Sequence, residues 1–166
     1  DMSRQDYLDW TDRWVSAVAC ALSEKGSFFL NIAGKPSDPW GPLEVAGVVR
    51  QHFELQNTIH WIKSIAIMQE DVGNYPGITK DVVIGHYKPI NSPCYINDAH
   101  EYVFHFSPTG RVELDRLGIG VPYQDSSNVG RWKSATAHRL HCRGNTWFVP
   151  YRTIKSRDRE RPHPAT

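Results

Sequence analysis

Two periodicities alternate along the first 67 residues, and that alternation limits the fold more than any other feature of the chain. Tyr7, Trp10, Trp14, Ala17, Val18, Ala21 and Leu22 recur at the spacing of one helical face, so residues 4–23 read as an amphipathic helix. Ser3-Arg4-Gln5-Asp6 ahead of it resembles a capping box with Asp in place of Glu. Glu24-Lys25-Gly26 ends it, and Gly26 suits a left-handed cap. The nearly continuous apolar run of residues 27–33 has strand length and suits a strand covered on both faces. A Gly/Pro-rich loop over 34–41 leads to Pro42, well placed in the first turn of a second helix. Leu43, Val45, Ala46, Val49 and Phe53 supply its buried face, and it ends near His52-Phe53. Residues 55–67 are again strand-like, with Ile59, Trp61, Ile65 and Ile67 on one side. Helix, strand, helix, strand in this order predicts an α/β domain with a largely parallel sheet. The same periodicity assigns Trp10, Trp14 and Trp61 to the core.

Beyond residue 67 the signals thin out. Residues 68–100 form a long excursion rich in Gly and Pro, a kind of segment that is often functional. Residues 101–106 read as a short strand closed by Ser107-Pro108-Thr109-Gly110, and 146–149 as a last one. Residues 111–145 are polar, basic and weakly periodic, so they read as irregular or as a small insert. With 166 residues, 40% hydrophobic and 22% charged, the composition is that of one globular core with at most a small appendage. It is neither a disordered nor a fibrous composition. No apolar run approaches the roughly 20 residues of a spanning helix, and the N-terminus shows no signal-peptide pattern. Cys20, Cys94 and Cys142 are odd in number and lack a C-x-x-C spacing, which suits reduced thiols in a cytosolic protein.

Charge is distributed unevenly. Residues 1–60 carry a net −3 and residues 61–110 a net −2, whereas residues 111–166 carry +6. A basic final third on an acidic body is the footprint of a polyanion-binding surface. Arg131, Lys133, Arg139 and Arg143 lie there with Trp132 among them and the amides of Gln124, Asn128 and Asn145 nearby. Lys and Arg neutralise phosphates, while Arg, Asn and Gln can read base edges by paired hydrogen bonds. A solvated basic flap would give a similar count.

Other chemistries fare worse. His138-x-x-His141-Cys142 is a tight cluster without the spaced second pair that a zinc site needs, so no metal is expected. There is no Gly-x-Ser-x-Gly. Gly118-Ile119-Gly120 is followed by Tyr123 at the third glycine position, so no nucleotide loop is read here. Ser37-Asp38-Pro39-Trp40 looks like the polar-Pro-Pro-aromatic signature of enzymes that methylate amino groups of bases, but its second proline is missing. A loop that caps the following helix is the better reading.

Taken together, six stretches make the sequence recognisable. They are residues 26–36 (GSFFLNIAGKP), 55–63 (LQNTIHWIK), 85–93 (GHYKPINSP), 97–106 (NDAHEYVFHF), 120–125 (GVPYQD) and 143–151 (RGNTWFVPY). In this order they resemble the β-order DNA amino-methyltransferases, the restriction-modification type enzymes that methylate adenine N6 or cytosine N4 using S-adenosylmethionine. The resemblance spans nearly the whole chain.

It implies part of a Rossmann-like methyltransferase sheet with helices on both faces, plus a small irregular basic target-recognition insert. Residues 1–110 would be a partial catalytic domain, 111–150 the recognition region and 151–166 a basic tail leading to the cofactor half. It also implies that the family's target-amine motif precedes residue 1 and that the glycine-rich cofactor loop follows residue 166. The reaction is methyl transfer to the exocyclic amine of a flipped base, without a covalent enzyme intermediate. The wall facing that base would include Asn91, Ser92, Asn97, His100 and Glu101. Double-stranded DNA would meet Lys88, Gln124, Ser126, Asn128, Arg131, Trp132, Lys133 and Arg143, and His163 and Thr166 would lie near the methionine end of the cofactor. The expected protein is cytoplasmic, of prokaryotic or phage type, and a fragment or split half inactive without a second chain carrying the missing motifs. A catalytically dead DNA-binding module is the alternative. A site completed by another copy of the same chain is disfavoured, because no copy contains the glycine loop.

Overall fold

The computed structural model describes residues 2–85, 90–123 and 140–150. Helix α1 (Arg4–Ala21) begins at the expected cap. The Asp6 N–H donates to Ser3 Oγ at 3.1 Å, and the Ser3 N–H donates to the Asp6 carboxylate at 3.3 Å. Its buried stripe runs through Thr11 and Val15, with Trp14, Val18, Ala19 and Leu22 alongside. Trp10 falls at the margin of that stripe and is 45% exposed, stacked on the exposed Tyr7, so its assignment to the core is corrected. Trp14 and Trp61 are half-buried. The helix stops at Ala21, and Gly26 is not left-handed. It is instead needed for close approach, since a Cβ there would lie 2.5 Å from Leu22 Cγ.

Strand β1 (Phe28–Ile32), helix α2 (Gly41–Val49) and strand β2 (Glu54–Ile62) follow as the alternation predicts. The expected single strand over 55–67 breaks after Ile62. Lys63 N and Ser64 N both donate to Ala99 O, at 2.8 and 3.3 Å, which turns the chain out of the sheet. Strand β3 (Ile65–Ile67) then pairs with β4 (Val82–Ile84) in a separate two-stranded sheet, with the short helix α3 (Gln69–Val72) between them. Gly85, at φ +107°, closes this hairpin against the turn, where a Cβ would meet Lys63 O at 2.6 Å.

Strand β5 (His100–Ser107) inserts between β1 and β2 and runs antiparallel to both. Strand β8 (Thr146–Phe148) adds to β2 in parallel, giving the order β1-β5-β2-β8. The sheet is therefore mixed, which corrects the expectation of a largely parallel one. Covering helices follow from local apolar periodicity, whereas strand order is decided by long-range pairing. Strands β6 (Val121–Pro122) and β7 (Leu140–His141) form a further small antiparallel pair inside the region read as irregular.

Val15, Val49, Phe53, Phe104 and Phe106 form the core, with Phe28, Leu30, Ile32 and Tyr102 packed against it. Each such side chain contributes about 1.5–3 kcal/mol when fully buried. Residues of both α1 and α2 join this cluster, so among the described residues the two long helices share one sheet face, not both. On the opposite face His105 is 0% exposed, stacked under Phe29 with ring centroids 4.4 Å apart. Its Nδ1 lies 3.0 Å from the Asn57 amide and its Nε2 3.0 Å from Ser27 Oγ, so the buried ring is fully partnered. Burial pushes its pKa down and keeps it neutral.

Candidate functional site

Because β1 and β2 both run opposite to β5, their carboxyl ends meet the amino end of β5. In open α/β sheets, ligands bind in the crevice outside the carboxyl ends of the strands. At that edge Gly34, Pro39, Asp98, His100 and Tyr102 line a cleft of about 300 Å³, its open mouth included. Gly34 and Pro39 come from the loop after β1. Asp98 comes from the approach to β5, and His100 and Tyr102, two residues apart, project from the same side of that strand.

Three rings cluster there. His100 and Tyr102 meet edge to face at 4.9 Å, and His60 of β2, opposite Tyr102 in the ladder, lies 5.4 Å from His100 and 5.5 Å from Tyr102. Partial burial, and then the neighbouring His60, push the His100 pKa below the ordinary histidine value, so its imidazole stays uncharged near neutrality. A neutral imidazole offers one donor and one acceptor, whereas the Asp98 carboxylate only accepts.

The cleft wall is held from outside. Arg4 forks the Asp38 carboxylate with two 2.8 Å bonds and reaches Glu44 with its Nε at 2.5 Å, tying the start of α1 to the loop and to α2. The Arg4 hydrogen bonds hold the Asp38 carboxyl below its usual range. Asp38 thus clamps the loop through Arg4, and the α2 N-terminus has no side-chain cap. The tetrapeptide's carboxylate is committed to this scaffold.

Of the wall residues expected from the resemblance, His100 lines the cleft. Glu101, its neighbour, faces the other side of the sheet and pairs with Lys63 at 2.7 Å. Ser92 Oγ accepts a hydrogen bond from Cys94 N at 3.2 Å, and Asn91 and Asn97 are exposed. Arg143 is exposed between β7 and β8. Lys88, Gln124, Ser126, Asn128, Arg131, Trp132, Lys133, His163 and Thr166 lie outside the described residues. Sequence reasoning missed Asp98, Tyr102 and His60. Strand alternation from His100 pointed to Tyr102, but His60 needed the β2–β5 register. Among the described residues no group of three His, Cys, Asp or Glu comes together as a metal site.

A family model described as DNA methylase, the N6/N4 methyltransferase type, matches residues 2–166. The chain belongs to the N6/N4 DNA methylase family. No curated protein sequence matches it significantly. A mixed sheet with α-helices packed on it is consistent with a methyltransferase fold, and DNA methylases of this family use S-adenosylmethionine in general. The described residues that line the cleft are Gly34, Pro39, Asp98, His100 and Tyr102, none of them a lysine or arginine. No helix among the described residues is long and apolar enough to cross a membrane.

Proposed function

We propose that this DNA methylase receives the amino-bearing base of a DNA target in the cleft at the carboxyl edge of its sheet. The observation that carries the reading is the grouping of Asp98, neutral His100 and Tyr102 around one open cleft. A flipped adenine or cytosine is planar, uncharged and edged with donors and acceptors. Tyr102 and His100 offer it aromatic surface, Asp98 accepts from an exocyclic amine, and the His100 imidazole donates or accepts without carrying charge. Keeping His100 neutral matters, because a cationic neighbour would withdraw the lone pair that the amine must present to a methyl group. In-line approach of that nitrogen needs positioning more than acid–base chemistry.

The β-order assignment, the division at residues 110 and 150, and the recognition role of 111–150 with its basic residues remain part of this proposal. So do action in the cytoplasm of a prokaryotic or phage system and the need for a partner segment carrying the target-amine motif and cofactor loop. The support is the basic final third and the sequence stretches that resemble the family. Fluorescence anisotropy with labelled duplex DNA at several salt concentrations tests the DNA reading. Affinity that falls steeply with salt supports it, and no binding at low salt overturns it. Incorporation of labelled methyl groups into unmethylated genomic DNA then separates the alternatives. Incorporation by the chain alone would remove the need for a partner segment. Binding without incorporation, cured by adding a segment that carries the target-amine motif and cofactor loop, supports the split-enzyme form, and binding that no addition converts to transfer favours the DNA-binding module.

A further inference from the structure

Ala99 stands between two residues that line the cleft, Asp98 and His100, just ahead of β5. Its carbonyl is gripped twice, because the N–H groups of Lys63 and Ser64 both donate to it, at 2.8 and 3.3 Å. Lys63 then reaches back along β5 with its side chain. Its Nζ donates to Glu101 Oε1 at 2.7 Å, on the side of the strand opposite to His100 and Tyr102. The two side chains are only 22% and 18% exposed. Lys63 thus holds the residue before His100 by its backbone and the residue after it by its ammonium group. A hydrogen bond between charged partners is shorter and stronger than a neutral one, and a partly buried pair is little screened by salt. Residues 99–101 can neither slide nor twist without stretching one of these three bonds.

We propose that Lys63 and Glu101 are positioning residues for the cleft, a brace behind β5 that fixes the His100 ring against His60 and Tyr102 and sets Asp98 beside it. Neither side chain has to touch the base to matter. In-line transfer tolerates little misplacement, and an error of about 1 Å introduced away from the reacting atoms can cost about a hundredfold in rate. The inference rests on the reading of the cleft as the base's site and adds to it what holds the cleft in shape.

Nuclear Overhauser contacts between ring protons read that placement directly, in the full chain and without DNA. The unaltered chain should show contacts of His100 with His60 and Tyr102, and of Phe29 with His105 at the buried end of β5. Glu101→Ala should weaken the His100 contacts and leave the Phe29–His105 contact intact. Glu101→Gln, whose side-chain carbonyl still accepts from Lys63, should restore them. In the methylating form of the protein, alone or completed by a segment with the target-amine motif and cofactor loop, Glu101→Ala should lower methyl incorporation about tenfold to a hundredfold. Glu101→Gln should recover most of that loss. His100 contacts that persist in Glu101→Ala overturn the proposal, as does a Glu101→Gln chain that behaves like Glu101→Ala. Loss of the Phe29–His105 contact along with those of His100 also overturns it, since the pair would then prop the whole sheet. Displaced His100 contacts with unchanged incorporation would instead sink the reading of the cleft as the base's site.

Discussion

The two ends of strand β5 differ sharply. Phe104, His105, Phe106 and Ser107 are all buried, whereas His100 to Val103 are only partly so. The buried end sits in the aromatic core, and even its polar groups are saturated. Ser107 Oγ donates to Gln56 Oε1 at 2.8 Å and accepts from Gly110 N, while Gln56 also bonds both backbone groups of Val112. The open end presents rings and a carboxylate to a cleft. One strand thus anchors the fold with one half and presents chemistry with the other. Changes at the two ends should therefore move different observables.

The largest stability effect should come from the buried end. Phe106→Ala empties the middle of the core and should cost about 3–5 kcal/mol, read as a lowered denaturation midpoint. A cost near zero would show that the core as described does not hold the sheet. Next comes Gln56→Ala, which strands the Ser107 hydroxyl and the Val112 amide and should cost about 1–3 kcal/mol. Acid comes third. His105 and His100 both have pKa values depressed in the fold, so below the ordinary histidine value of 6.5 the unfolded chain binds more protons than the folded one. Stability should hold above that pH and fall as pH drops through it, and His105→Gln should flatten part of the slope in denaturant melts. A pH-independent midpoint between neutrality and pH 5 would contradict the buried neutral ring. The smallest stability change is expected for His100→Ala, at the open end. The same variant should lower methyl incorporation by the assembled enzyme, and a fully active H100A would detach this cleft from the chemistry.

The buried end was also the more legible in the sequence. Ser3 and Asp6 cap α1 through contacts three residues apart, so local spacing suffices to see them. The apolar runs of β1 and β5 name themselves in the same way. Insertion of β5 between β1 and β2 was invisible, because nothing local in residues 100–107 encodes which strands flank them. Trp10 misled because a helical face is wider than the stripe the sheet covers. At the site, Glu101 and His100 are adjacent in sequence, and strand alternation alone was enough to separate them. Their shared assignment to one wall came from resemblance, which transfers residues as a block. Asp98 joins the cleft through the path of a loop, and His60 meets the cleft's rings only through β-register, neither of which periodicity reports.

Ser107 and Asn145 bracket the basic stretch, and both are moored to β2. Ser107 pairs opposite Glu54, and Asn145 takes the His60 N–H on its carbonyl while its side chain donates to Thr58 O. The chain between them therefore leaves from and returns to the flank of one strand. Closing such a loop grows costlier only logarithmically, by roughly 0.6 kcal/mol for each doubling of length. Changes of length beyond Val112, clear of its two bonds to Gln56, should therefore add little to the cost of closing the segment. The scaffold can thus exchange one stretch of sequence for another while the cleft stays in place, a geometry open to evolutionary diversification.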